Sequence, residues 1–167
     1  MGCVCSRDLL DTTFEVDLPP EDARRFLIER NNWLQIIPGC SDGSVADAEP
    51  AAGPGAWTLT INAYTYTFMN TELVSATDTL PLGLSYDVHV RGVASGLPID
   101  FSFHVDYNFS ASNSGVGTQL RRLSTRFSTR GISRVIGRTI KAATQKGMAK
   151  ENAAMAILMA SKEKLYL

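Results

Sequence analysis

The chain has 167 residues, 44% of them hydrophobic and 20% charged. That suits one globular domain and excludes a disordered polyelectrolyte. No run of about 18 uninterrupted apolar residues occurs, so no segment reads as a membrane-spanning helix. The net charge of −1 hides a split: residues 1–120 carry 5 basic and 15 acidic side chains, and residues 121–167 carry 11 and 2. Either a basic surface meets an anionic partner, or the two halves match each other internally.

Residues 1–10 are expected to form a flexible tether ahead of a domain spanning 11–167. The tether opens Met1-Gly2-Cys3-Val4-Cys5-Ser6. Gly2, exposed once Met1 is removed, and Ser6 fit the N-myristoylation pattern, and Cys3 and Cys5 stand where palmitoyl groups would go. The hexapeptide resembles the dual-acylation signals of membrane-tethered signalling proteins. One myristoyl chain binds membranes only marginally, so a second chain or a basic patch is needed for stable attachment. Together with Cys40 the three cysteines form neither a disulfide framework nor a metal-ligand spacing, and they fit a reducing compartment.

Phe14, Val16 and Leu18 alternate with acids as a half-buried strand. Pro19-Pro20-Glu21-Asp22 reads as a helix start, and Asn31-Asn32 as a break between two short helices ending at Pro38-Gly39. Strands follow. Val45–Glu49 is short, and Trp57, Leu59 and Ile61 alternate with polar residues. Tyr64, Tyr66 and Phe68 then take the apolar phase, as a bulge near Ala63 would cause. Glu72–Thr79, Leu84–Val90, Ile99–Phe109 and Val116–Phe127 complete the set. From about Gly131 to Lys164 the pattern is helical. Its first half puts Ile132, Val135, Ile136, Ile140 and Ala143 on one face and Arg130, Arg134, Arg138 and Lys141 on the other. Beyond Gly147 the phase drifts, because Met148, Met155, Leu158 and Met159 lie on the side of the arginines.

The order is a strand, two short helices, six antiparallel strands and one long helix. It resembles the helix-grip fold of the START-like (SRPBCC) superfamily, over about residues 11–163. Within that group it is most similar to the carbon monoxide dehydrogenase G-like family, on a Leu-Pro-Gly-like turn, here Ile37-Pro38-Gly39-Cys40, and a Gly-Thr opening of a late strand, here Gly117-Thr118. The lipidation-like N-terminus and the arginine-rich run at 121–138 are departures from that family's pattern. The resemblance implies an α+β fold, a seven-stranded antiparallel curved sheet wrapped around the long C-terminal helix. It also implies a cavity between sheet and helix for a lipid, sterol, isoprenoid quinone or polyketide. By strand parity Trp57, Tyr86, Phe101, Phe103, Tyr107 and Phe109 face inward, opposite Met148, Met155 and Met159, which makes these nine the candidate ligand-binding residues. Methionine suits a pocket of variable filling. The same spacing also describes a plain packed core.

Catalysis finds little support. His89 and His104 point away from the apolar face and read as solvated rather than as a metal pair. No acid pair occupies the inward positions of the clean strands, and a cyclase or dehydratase needs a base that works near neutrality. No metal, redox cofactor or nucleic-acid partner is expected. Arg126, Arg130, Arg134 and Arg138 are spaced by four; they read either as a solvated face partly paired with the acidic half or as groups that bind an anionic membrane. In a helix-grip topology the tether would leave near Arg126 and Arg130, at the end shared by loops around Phe68-Met69 and Val93–Leu97. Three functions remain open: a tethered carrier of a hydrophobic ligand at the cytoplasmic face of a membrane, a membrane-anchored interaction module with a closed core, and a polyketide cyclase-like enzyme.

Overall fold

A computed structural model describes residues 9–165 and the side chains of 9–160. Gly2, Cys3 and Cys5 therefore lie outside the described residues. Seven strands form one antiparallel sheet: β1 (Leu10–Val16), β2 (Ser44–Asp47), β3 (Trp57–Ile61), β4 (Tyr64–Val74), β5 (Leu82–Ala94), β6 (Leu97–Ala111) and β7 (Thr118–Thr129). Their spatial order is β1-β7-β6-β5-β4-β3-β2, so consecutive strands are neighbours from β2 to β7 and β1 pairs with β7. Three helices accompany the sheet: α1 (Pro20–Ile28), α2 (Trp33–Ile36) and the long α3 (Arg134–Leu165). The architecture is α+β, a seven-stranded antiparallel curved sheet with a C-terminal helix.

Two local motifs anchor the frame. At Gly117 φ is +87°, and a Cβ there would stand 2.4 Å from the Val16 carbonyl oxygen, so only glycine permits this close approach of β7 to the end of β1. Thr118 follows, wholly buried, and its hydroxyl donates to the Leu18 carbonyl at 2.7 Å. Between α1 and α2 the buried Asn32 and Trp33 side chains donate to the carbonyls of Phe26 and Leu27, each at 2.8 Å. Those carbonyls belong to the last turn of α1, where no helical donor remains for them. The same bonds fix Trp33 against Phe68 and Tyr86 on the sheet.

Three expectations are corrected. The change of apolar phase near Ala63 is a two-residue hairpin turn at Asn62-Ala63, not a bulge; Asn62 takes φ +50°, and β3 ends there. The bulge lies further on, between Met69 and Glu72, where Asn70 takes φ +53°. Phe68-Met69 is therefore the middle of β4 rather than a loop, with Phe68 buried, and residues 75–79 lie beyond the strand. Nor does the phase of α3 drift. Its buried stripe runs Ile140, Met148, Asn152, Met155 and Met159, at helical spacing throughout. The drift in the sequence pattern arises only if Val135 and Ile136 are interior, and they are 74% and 38% exposed.

Candidate functional site

A cavity of about 580 Å3 lies between the first half of α3 and the concave face of the sheet. Strand registry builds its wall. Tyr86, Val88 and Val90 of β5 stand directly opposite Val105, Phe103 and Phe101 of β6, so all six project to one face. Tyr64, Tyr66 and Phe68 extend the wall onto β4, and Trp33, Ile37 and Pro38 close it from the α2 side. The roof is Thr139, Ile140, Ala143, Thr144, Gly147 and Met148 of α3. Small residues make the room: a Cβ at Gly147 would meet no atom within 4 Å. Ligand pockets commonly hold about 300–1,000 Å3 and are mostly apolar with a few placed polar groups.

The polar groups here converge on one buried cation. Arg122, 2% exposed, enters the cavity from β7 between the buried Leu120 and Ser124. Its Nη1 donates to the Asn152 side chain at 3.0 Å and the Met148 carbonyl at 3.4 Å, and its Nη2 to Glu151 at 3.3 Å. The guanidinium sits over the Tyr107 ring, 5.6 Å from its centroid. The Tyr107 hydroxyl accepts a hydrogen bond from Tyr86 at 3.3 Å. Arg122 Nε is buried with no hydrogen-bond partner. An orphaned buried donor is uncommon in native structures, and the hydroxyl of Ser124, its neighbour on the same strand face, is buried without a partner as well.

Burial sets the charge states. It pushes the Tyr86 phenol well above its ordinary value, raises Tyr107 against the pull of Arg122, and raises Tyr66 to about 12. All three are neutral hydroxyls at physiological pH. Burial alone would disfavour the Arg122 cation, but Tyr107, Glu151 and Tyr86 outweigh it and hold the proton on. For Glu151 burial wins over the attraction of Arg122, and its carboxyl titrates above the usual value. The cavity therefore offers apolar walls, one fixed cation, its paired carboxyl and the Tyr86 phenol, which is linked to Tyr107 behind it.

No protein-family model matches the chain, and no curated protein matches it. Among the nine expected ligand residues, Tyr86, Phe101, Phe103 and Met148 line the cavity. Tyr107 stands behind Tyr86 and beneath Arg122, buried outside the lining. Trp57 stacks on Phe68 with ring centroids 4.1 Å apart. Phe109, Met155 and Met159 fill the core beyond the cavity. Sequence reasoning missed Arg122 and Glu151, yet both left a signal. Leu120, Arg122 and Ser124 share one strand phase, which puts an arginine at a core position. Glu151 is the first acid after residue 120.

The two histidines lie on the opposite face of the sheet, each held by carboxylates. His89 bonds Asp100 at 2.6 Å, and His104 bridges Asp87 at 2.7 Å and Asp106 at 3.1 Å. Their side chains are about one-quarter and one-fifth exposed, less solvated than expected. Hydrogen bonds from Asn70 and His104 outweigh burial and lower the Asp87 carboxyl. No cluster of three or more metal-ligating side chains occurs among the described residues. The basic run divides. Arg121 pairs with Asp11 and Arg122 with Glu151, whereas Arg126, Arg130, Arg134 and Arg138 are exposed and make no ion pair among the described residues.

Proposed function

We propose that the protein is a helix-grip, START-like binding module that holds a hydrophobic ligand of the lipid, sterol or isoprenoid quinone class beneath α3. We place it at the cytoplasmic face of a membrane, tethered through acylation at Gly2, Cys3 and Cys5. The observation that carries the reading is the cavity itself. A closed interaction module would need this volume filled, and the side chains best placed to fill it, Ala143 and Gly147, are small.

The polar end narrows the ligand further. Arg122 and Glu151 already neutralise each other, so a net charge brought beside them in a low-dielectric cavity would be costly. An uncharged hydroxyl or carbonyl suits the site. Its oxygen would lie beside the Arg122 guanidinium, and a ligand hydroxyl would donate a hydrogen bond to the Glu151 carboxylate, which also lines the cavity. The apolar body lies along Phe101, Phe103, Val88 and Val90.

Native mass spectrometry of the protein from its own cells tests this reading. The expected result is a bound species of lipid-like mass, lost in Gly147→Leu, whose side chain projects into the cavity while the helix stays intact. An empty spectrum, together with failure to load any lipid from liposomes, would overturn it. A second reading is favoured by Glu151 alone, an inward acid beside Tyr107 and Arg122. Such a carboxylate could remove a proton from carbon next to a carbonyl polarised by Arg122, as a cyclase-like enzyme requires. A loaded ligand recovered chemically changed supports the enzyme, and one recovered intact supports the carrier.

A further inference from the structure

Four of the nine large apolar side chains exposed among the described residues, together with a group of basic ones, stand at the end of the sheet where β5 turns into β6. β5 and β6 meet there in a tight turn at Ser95-Gly96, with positive φ at both residues. Val93 and Leu97 flank the turn, 49% and 52% exposed. β7 leaves the sheet at the same end and leads into α3, whose first turns carry the exposed Val135 and Ile136. The two elements share the cavity rim: Ala94 and Ile99 line it from the hairpin, Thr139 and Ala143 from the helix. Around these apolar tips stand Arg130, Arg134, Arg138 and Lys141, none in an ion pair among the described residues, while Arg126 lies further along β7, near enough to Asp87 to help lower its carboxyl. Between residues 91 and 141 at this end Asp100 is the near acid, and it is already engaged by His89 and Arg91. The chain also enters the sheet from this end, since Leu9 and Leu10 pair with Ser124 and β1 runs away from the tip.

We propose that this end is a docking face for an anionic lipid bilayer, with Val93, Leu97, Val135 and Ile136 inserted between headgroups and the arginines against the lipid phosphates. The occupant follows from the chemistry. Large exposed apolar side chains rimmed by unpaired cations match a surface that is apolar beneath and anionic on top. A nucleic acid would use the cations and leave the four aliphatic tips in water. Docked this way, the part of the cavity lining formed by Ala94, Ile99, Thr139 and Ala143 lies next to the bilayer, which shortens the path of a hydrophobic ligand through water. The inference rests only on the membrane half of the proposed function, and it holds whether or not the cavity is occupied.

The test uses the full chain carrying Gly2→Ala, so that no myristoyl chain contributes, and vesicles of phosphatidylcholine with or without phosphatidylserine. Binding is expected to anionic vesicles and not to neutral ones, and to weaken with salt. Arg134→Gln with Arg138→Gln should weaken it about 25-fold, from roughly 5-fold per basic group near such a surface. Val93→Ser with Val135→Ser should also weaken it, while leaving the salt dependence unchanged. All four positions are exposed, so the fold is not at stake. Equal binding to both vesicle types, no binding to either, or indifference to both pairs of substitutions would overturn the docking face. Native mass spectrometry of the same variants reads the cavity separately. Ligand retained in variants that lose vesicle binding supports a docking face distinct from the cavity, whereas ligand retained by a chain that ignores vesicles faults docking alone.

Discussion

Arg122 and Glu151 form the least expected pair in the molecule, since each ion loses its hydration when buried. The cost of desolvating two ions is recovered only in part by their attraction, so apolar residues in their place are often neutral or stabilising. Removing one partner is worse, because the other charge is left buried and alone. Arg122→Met should therefore lower stability by about 3 kcal/mol or more, and adding Glu151→Leu should restore most of it. Urea unfolding of the single and double variants measures this, and a double variant no more stable than the single would show that the pair holds the fold rather than a ligand. Glu151 also sets a pH dependence. Its folded value is raised above the ordinary 4.5, so its contribution favours the fold below the unfolded value and is lost as pH rises through the folded one. Relative to Glu151→Gln, the native protein should lose stability as pH rises above that point. Arg122 was within reach of sequence reasoning, because its strand phase matches Leu120, but it lies inside the arginine-rich run at 121–138 and was grouped with that run.

At the scale of elements, one substitution gives opposite signs at two glycines. Gly117→Ala forces a Cβ into the Val16 carbonyl at positive φ and should cost on the order of 2 kcal/mol. Gly147→Ala adds a helix-favouring methyl in open space and should stabilise by about 0.5–1 kcal/mol. Thermal unfolding of both variants reads the contrast, and a destabilised Gly147→Ala would mean that the roof of the cavity is packed after all. Most strands were legible because alternation and burial agree along β5 and β6. The hairpin at Asn62-Ala63 was not, because two strands joined by a two-residue turn look like one strand with a phase slip. The early part of α3 is ambiguous for a related reason. Val135 and Ile136 have the right composition for a core, and only the tertiary position of the first turn leaves them in solvent. The cavity was legible only through the fold resemblance and not from the residues themselves, since those that form its wall are of the same kinds as those that fill a core.

For the whole molecule, the charge split is resolved by where the basic half lands. Two of its arginines are matched to acids, Arg126 lies near Asp87, and Arg130, Arg134 and Arg138 face outward at the end from which β1 starts. An acylated tether and a basic, apolar-tipped face would then act on the same bilayer. A single myristoyl chain binds with a constant of only about 10⁴ M⁻¹, so neither signal suffices alone and their contributions multiply. The expected pattern in cells that acylate is graded. Cys3→Ser with Cys5→Ser should shift part of the protein to the soluble fraction, and so should Arg134→Gln with Arg138→Gln. The four changes together should release nearly all of it, as should Gly2→Ala with the arginine changes. Membrane fractionation followed by intact-mass measurement checks both the distribution and the acyl groups. Full release by the arginine changes alone, with acyl chains present, would mean that the chains do not reach the bilayer. Retention after all the changes would assign the membrane attachment to a protein partner instead.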